Sequence, residues 1–154
     1  MFKRIIISTL LLLLTSCGYE AIHSKKNSIN YNFSISELSF IGDRAISVKI
    51  KETLKNYTLN KKDKNFVLKI SSIREKVVIA KDITGDATSF RSTIIINIEI
   101  IMENNFKNNL QITEGFNYNN NDNKFNLKTY ERQIRNNLAN NATEKLIQKL
   151  SNIQ

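Results

Sequence analysis

Proline and tryptophan are missing from this chain, cysteine and histidine occur once each, and glycine only four times. A single cysteine excludes an intrachain disulfide. The single histidine, His23, has no second imidazole or thiol near it in sequence to share a metal, so no metal-ligand spacing is present and no metal site is expected. No glycine-rich phosphate loop occurs, and the domain downstream of His23 has no histidine to act as a general base. Carboxylates such as Glu37, Asp43, Glu52 and Glu75 are scattered over different elements. These absences together exclude the common catalytic constellations. The chain is expected to be no enzyme and to need no cofactor. The abundance of Ile, Lys and Asn has the look of genomic base bias and says little about function.

What is present begins at the first residues. Lys3 and Arg4 precede the apolar run Ile5 to Leu14, which leads into Leu14-Thr15-Ser16-Cys17. That order is a secretory signal peptide's. The run is well short of the roughly 20 residues a helix needs to cross a bilayer, so it is not a permanent anchor. Small residues before a cysteine resemble the bacterial lipobox, in which the thiol is acylated and the chain is cut just before it. Residues 1–16 are then the signal peptide, Cys17 the lipidation site, and residues 17–30, polar and poor in apolar side chains, a flexible lipid-anchored tether. Lipidation also explains an unpaired thiol in an exported protein. Each buried methylene contributes about 0.8 kcal/mol, so two or three acyl chains hold a protein to a membrane where one would not. Gly18 stands where an Asp would resemble an inner-membrane retention signal, which makes the periplasmic face of the outer membrane the expected location.

Lys3 and Arg4 leave with the signal, so 21 of the 23 basic side chains remain against 14 acidic ones, a net charge of +7. A basic domain at a membrane suits phosphate-bearing lipid, lipopolysaccharide or an acidic partner protein. Export argues against nucleic acid.

Residues 31–154 have a length that fits one domain. Tyr31, Phe33 and Ile35 alternate with polar residues, the period of a half-buried strand. Asp43 is placed to cap a helix carrying Ile46, Ile50, Leu54 and Tyr57 on one face. Phe66, Leu68 and Ile70, then Val77 to Ala80, predict one long strand bulged near Ser71 and Ser72. Asp82, Thr84, Gly85 and Asp86 supply turn chemistry. The strongest signal follows, with Phe90, Ser92, Ile94, Ile96, Ile98, Ile100 and Met102 on one face and Arg91, Thr93, Ile95, Asn97, Glu99 and Ile101 on the other. Leu110, Ile112, Phe116 and Tyr118 suggest a fourth strand, and residues 119–126 read as a loop. Leu127, Tyr130, Ile134, Leu138, Ala142, Leu146 and Leu150 recur at helical spacing. The order β-α-β-β-β-α predicts an α+β two-layer sandwich, a four-stranded mixed or antiparallel sheet with two helices on one face. The other sheet face stays partly open.

Cys17-Gly18-Tyr19, that element order, the segment Ala80-Lys81-Asp82-Ile83-Thr84-Gly85 before the long strand, and Leu127-Lys128-Thr129-Tyr130-Glu131-Arg132 opening the last helix resemble the LPS-assembly lipoprotein LptE family. The resemblance covers the whole mature chain and is one of order and pattern. It implies a non-enzymatic outer-membrane lipoprotein that plugs the β-barrel of LptD and binds lipopolysaccharide during assembly. It further implies that Lys128 and Lys81, with Arg91 less directly because the local alignment slips, meet lipid A phosphates. A partner would also be expected to satisfy Arg91 and Glu99. For each cation the alternative is a solvated surface side chain. An alternative for the whole is a free lipid-binding or envelope-stabilising lipoprotein, and an exported hydrolase would need a nucleophile and base that the chain does not show.

Overall fold

A computed structural model describes residues 31–102 and 106–153. The expected signal peptide 1–16, the expected lipidation site Cys17 and tether 17–30, and His23 lie outside the described residues. The elements are β1 (Phe33–Gly42), α1 (Arg44–Leu54) with a 3-10 turn (Lys55–Tyr57), β2 (Lys64–Lys81), β3 (Ala87–Met102), β4 (Lys107–Asn119) and α2 (Lys124–Ser151). The strands lie in the order β1-β2-β3-β4, with β1 parallel to β2 and the other two pairings antiparallel. This is the expected α+β sandwich with a mixed sheet. A parallel neighbour requires a crossover rather than a tight turn, and α1 supplies it.

The even-numbered row of β3, Ile94, Ile96, Ile98 and Ile100, is at most 2% exposed and forms the centre of the core. Its cross-strand partners on the same face are Leu68, Ile70 and Ser72 of β2 and Leu110 and Ile112 of β4. Ile46, Ile50 and Leu54 of α1 and Leu127, Ile134, Leu138, Ala142, Leu146 and Leu150 of α2 close over that face. Each such side chain contributes about 1.5–3 kcal/mol by leaving water. The helices also meet directly, where Thr53 Oγ1 and Asn140 Oδ1 are 3.5 Å apart.

Alternation alone does not carry β1 into the core. Phe33 and Ile35 face inward, but continuing by twos would aim Glu37 and Ser39 at the helices. A β-bulge between Ile35 and Glu37 resets the parity, so that Leu38 and Phe40 pair with Leu68 and Ile70 on the inner side. Ser34, on the opposite side, is nevertheless buried, because its hydroxyl accepts from Lys62 N–H (3.0 Å) and donates to Asn65 Oδ1 (3.1 Å). At this corner Phe33 stacks on Tyr57 at 4.7 Å and meets Phe66 at 5.8 Å.

Asp43 caps α1 as expected, its Oδ1 accepting from Ala45 N–H (2.9 Å) and Ile46 N–H (3.1 Å). Two sequence expectations need correction. The bulge in β2 is not at Ser71 and Ser72, which pair without interruption to Asn97 and Ile96; it lies between Val78 and Lys81, next to the hairpin tip. The loop predicted over 119–126 is shorter, because Asn123 accepts from Phe125 and Asn126 N–H (3.0 and 3.1 Å) and starts α2 at Lys124.

Candidate functional site

The two strand-to-strand and strand-to-helix connections at one end of the sandwich fold onto each other. In the β2–β3 tip, Asp82 Oδ1 accepts from Thr84 N–H (2.9 Å), Thr84 Oγ1 (2.7 Å) and Asp86 N–H (2.9 Å), and Gly85 takes a φ of 92°. The Thr84 hydroxyl first, then the N–H groups, hold the Asp82 carboxyl below its usual range. Asn120 ties the β4–α2 connection to β3, donating from its backbone to Thr88 O (2.8 Å) and from its side chain to Ala87 O (2.7 Å). Between them lies a recess of about 850 Å³ lined by Lys76, Asp82, Asp86, Phe90, Asp122 and Lys124 among others. Ile83 is fully exposed and Phe125 79% exposed at this end.

Lys81 precedes this tip and Lys128 follows Leu127 in the first turns of α2, so the structure brings both to one end of the domain. Both are exposed and form no ion pair among the described residues. Arg91 is separated from them by orientation. Its position in β3 faces away from the helices, and its guanidinium lies over Gly115, where a Cβ would come within 2.9 Å of Nη2. Arg91 Nη1 also donates to Asn117 Oδ1 at 3.4 Å. The three cations therefore do not form one cluster. Sequence reasoning missed the recess itself, which Asp82, Asp86 and Asp122 line together with Lys76 and Lys124 and not with Lys81 or Lys128. Among the described residues no group of three or more His, Cys, Asp or Glu is arranged to hold a metal ion.

Behind the recess, Lys76 Nζ sits 3.9 Å above the Phe90 ring and 2.6 Å from Glu131 Oε1, which also accepts from the Tyr118 hydroxyl at 2.8 Å. Burial pushes the Glu131 carboxyl up, but the hydrogen bonds from Lys76 and Tyr118 and the charges of Lys76 and Arg74 outweigh it and hold the group below the usual carboxylate range. Burial, and then the bond to Glu131 and its charge, push Tyr118 well above the usual phenol range. A depressed carboxyl stabilises the fold above its unfolded value, about pH 4.3, and that contribution is lost as pH falls through the folded value. Glu131→Gln is accordingly expected to cost about 1–2 kcal/mol at pH 7 and less at pH 3, which lies below the unfolded value. Urea unfolding at the two pH values checks this, and an equal cost at both would remove Glu131 from the acid response.

The outer sheet face is the second surface of note. Part of its polar surface is paired within the chain: Glu99 meets Lys69 (3.6 Å) and Lys107 (3.4 Å), and Gln111 donates to Asn97 (2.9 Å). Glu99 thus has partners of its own, and Arg91 has Asn117. Ile73, Val77 and Ile79 along β2 are each about half exposed, and exposed Glu75 stands between the first two with no ion pair among the described residues.

This arrangement defines a class of fold, a bulged mixed sheet covered on one face by a short and a long helix. Solved structures with a similar fold include bacterial lipoproteins. They include rare lipoprotein B from Shewanella oneidensis (TM-score 0.55, 10% identity, covering 73% of this chain and 95% of that one) and a minor lipoprotein from Acinetobacter baumannii (0.56, 11%, 79% and 91%). Lipoprotein B from Nitrosomonas europaea is also similar (0.53, 13%, 77% and 83%). No protein-family model matches the chain, and no curated protein matches it. Among the described residues no helix is long and apolar enough to cross a membrane.

Proposed function

We propose that this chain is a lipoprotein of the outer membrane, anchored through Cys17 on the periplasmic side, that assists lipopolysaccharide assembly as plug and partner of an LptD-type β-barrel and itself binds lipopolysaccharide. It works as a binding component and not as an enzyme. The observation that carries this reading is a sandwich with one bare sheet face, on which Ile73, Val77 and Ile79 stay half exposed beside Glu99, itself paired with Lys69 and Lys107. A wall laid over that face would bury the apolar row and would have to offer Glu75 a donor. The fold is shared with rare lipoprotein B, and the lipobox at Cys17 and the resemblance of the sequence to the LptE family support the same reading.

In this proposal lipopolysaccharide meets the end of the domain where Lys128 and Lys81 stand beside exposed Ile83 and Phe125. Cations for lipid phosphates and apolar side chains for acyl chains then lie together. Lys128→Asp is expected to weaken lipopolysaccharide binding several-fold by opposing those phosphates while leaving the helical circular dichroism signal unchanged. Binding at full strength would take Lys128 out of the site.

The test of the whole reading is a mild-detergent pull-down of the tagged chain from its native membrane, followed by mass spectrometry. One large β-barrel protein in near-equal amount is the expected result. Lipid recovered without a barrel would overturn the plug reading in favour of a free lipid-binding or envelope-stabilising lipoprotein.

A further inference from the structure

Charge is divided unevenly between the two layers of the sandwich. The helical segments, Arg44–Tyr57 and Lys124–Ser151, carry ten basic against three acidic side chains, a net charge of +7. The other described residues carry nine of each and are neutral. On α1 the cations are ordered. Ile46, Ile50 and Leu54 fill the inner side, while Arg44, Val48, Lys51 and Lys55 recur at steps of four, three and four on the side turned to solvent, all of them exposed. On α2, Lys124, Lys128 and Arg132 follow at steps of four and are exposed as well.

None of these six cations forms an ion pair among the described residues. Of the helix acids, Glu52 is paired with Lys49 at 3.3 Å, and Glu131 is turned to Lys76 of β2 at 2.6 Å. Lys51 with Lys55, Lys124 with Lys128, and Lys128 with Arg132 are like charges four residues apart, each a small cost to its helix that nothing in the fold offsets. At 1.5 Å per residue the rows run along about 17 Å of α1 and 12 Å of α2. A small anion meets one or two such cations, whereas a broad anionic surface meets all six together. The membrane is the surface at hand, since residues 17–30, even fully extended, span no more than about 50 Å from the lipidation site to Tyr31. Val48, half exposed within the α1 row, offers an apolar contact at the headgroup boundary.

We propose that the helix layer is the membrane-facing side of the domain, docking on anionic phospholipid headgroups through Arg44, Lys51 and Lys55 of α1 and Lys124, Lys128 and Arg132 of α2. The bare sheet face is then turned away from the bilayer, open to a partner's wall. The membrane setting rests on the lipobox reading of Cys17; the charge asymmetry of the folded domain does not.

Two forms of the chain test the two parts separately. The mature chain with Cys17→Ala, made without its signal segment, is sedimented with vesicles of phosphatidylcholine alone and with phosphatidylglycerol added. It is expected to bind only the anionic vesicles and to be released at 1 M salt, where the screening length is about 3 Å. Lys51→Gln with Lys55→Gln is expected to lower the partition coefficient roughly 25-fold, about fivefold for each cation, equivalent to about 1 kcal/mol. Lys64→Gln, the same loss of one charge at the start of β2, is expected to change it less than about twofold. Equal binding to phosphatidylcholine, indifference to salt, or an equal loss from Lys64→Gln would overturn the proposal. No binding to either vesicle would overturn it too and leave the rows to an acidic protein surface.

In the lipidated chain Cys17 is blocked, so a thiol introduced by Val48→Cys, or by Thr113→Cys on the outer sheet face, takes a fluorophore alone. On anionic vesicles an aqueous quencher is expected to reach the Thr113 position and to be kept from the Val48 position. The reverse order, or equal quenching, would overturn the orientation. Labelling of Cys17 itself would refute the lipobox reading, and the sedimentation result would still decide the docking surface.

Discussion

Gly42→Ala is expected to destabilise the domain by about 2–5 kcal/mol and to lower its melting temperature by roughly 10 °C or more. Gly42 ends β1 with a φ of 103°, a conformation that side chains other than hydrogen rarely accept. A Cβ there would stand 2.0 Å from Ser72 O and 3.0 Å from Ser72 C, both backbone atoms that cannot rotate aside. Relief requires β1 and β2 to part at the point where Asp43 N–H donates to Ser72 O at 3.2 Å. The substitution therefore damages a strand pairing and the cap of α1 together. Gly85→Ala is the natural comparison: its φ is 92°, yet nothing lies within 4 Å of the added atom, so only the backbone penalty of about 1–2 kcal/mol applies. Thermal and urea unfolding of the two variants checks the argument. Equal losses would show that the close approach to Ser72 does not matter.

Cys17→Ala is expected to abolish lipid attachment and to leave the protein mislocalised. The chain has no second thiol to take the acyl groups. Roughly 0.8 kcal/mol contributed per buried methylene is lost with the two or three chains, and cleavage before residue 17, which follows acylation of the thiol, fails as well. Metabolic labelling with palmitate and fractionation measure both effects. Label on the Cys17→Ala protein would refute the lipobox reading.

Most of the architecture could be read directly from side-chain periodicity. β3 is the clearest case, because sixteen residues of alternation leave only one way to bury Ile94 to Ile100. Asp43 was equally legible, standing immediately before a helical pattern. The bulge at Ser36 was not, since a single extra residue only shifts parity and is evident only once Leu38 and Phe40 are seen opposite Leu68 and Ile70. Asn123 was hidden by its company: in a segment crowded with asparagine, no one of them stands out as a cap. At the candidate site, Lys81 and Lys128 had support in the family resemblance, whereas the acid-lined recess had none, because Asp82 and Asp122 come to it from connections far apart in sequence.

The long helix follows all four strands, and this has a consequence for a chain made from its N-terminus. β1 emerges first but must wait for Lys64–Ser72 before it has a neighbour to pair with. The meander that follows joins quickly, strand to adjacent strand, yet it presents the isoleucines of β3 on a naked surface until Lys124–Ser151 has cleared the exit. For that interval the chain is a sheet without its lid, the state most open to capture by another exposed strand. A chaperone that shields such a surface is needed only until the final 28-residue helix arrives.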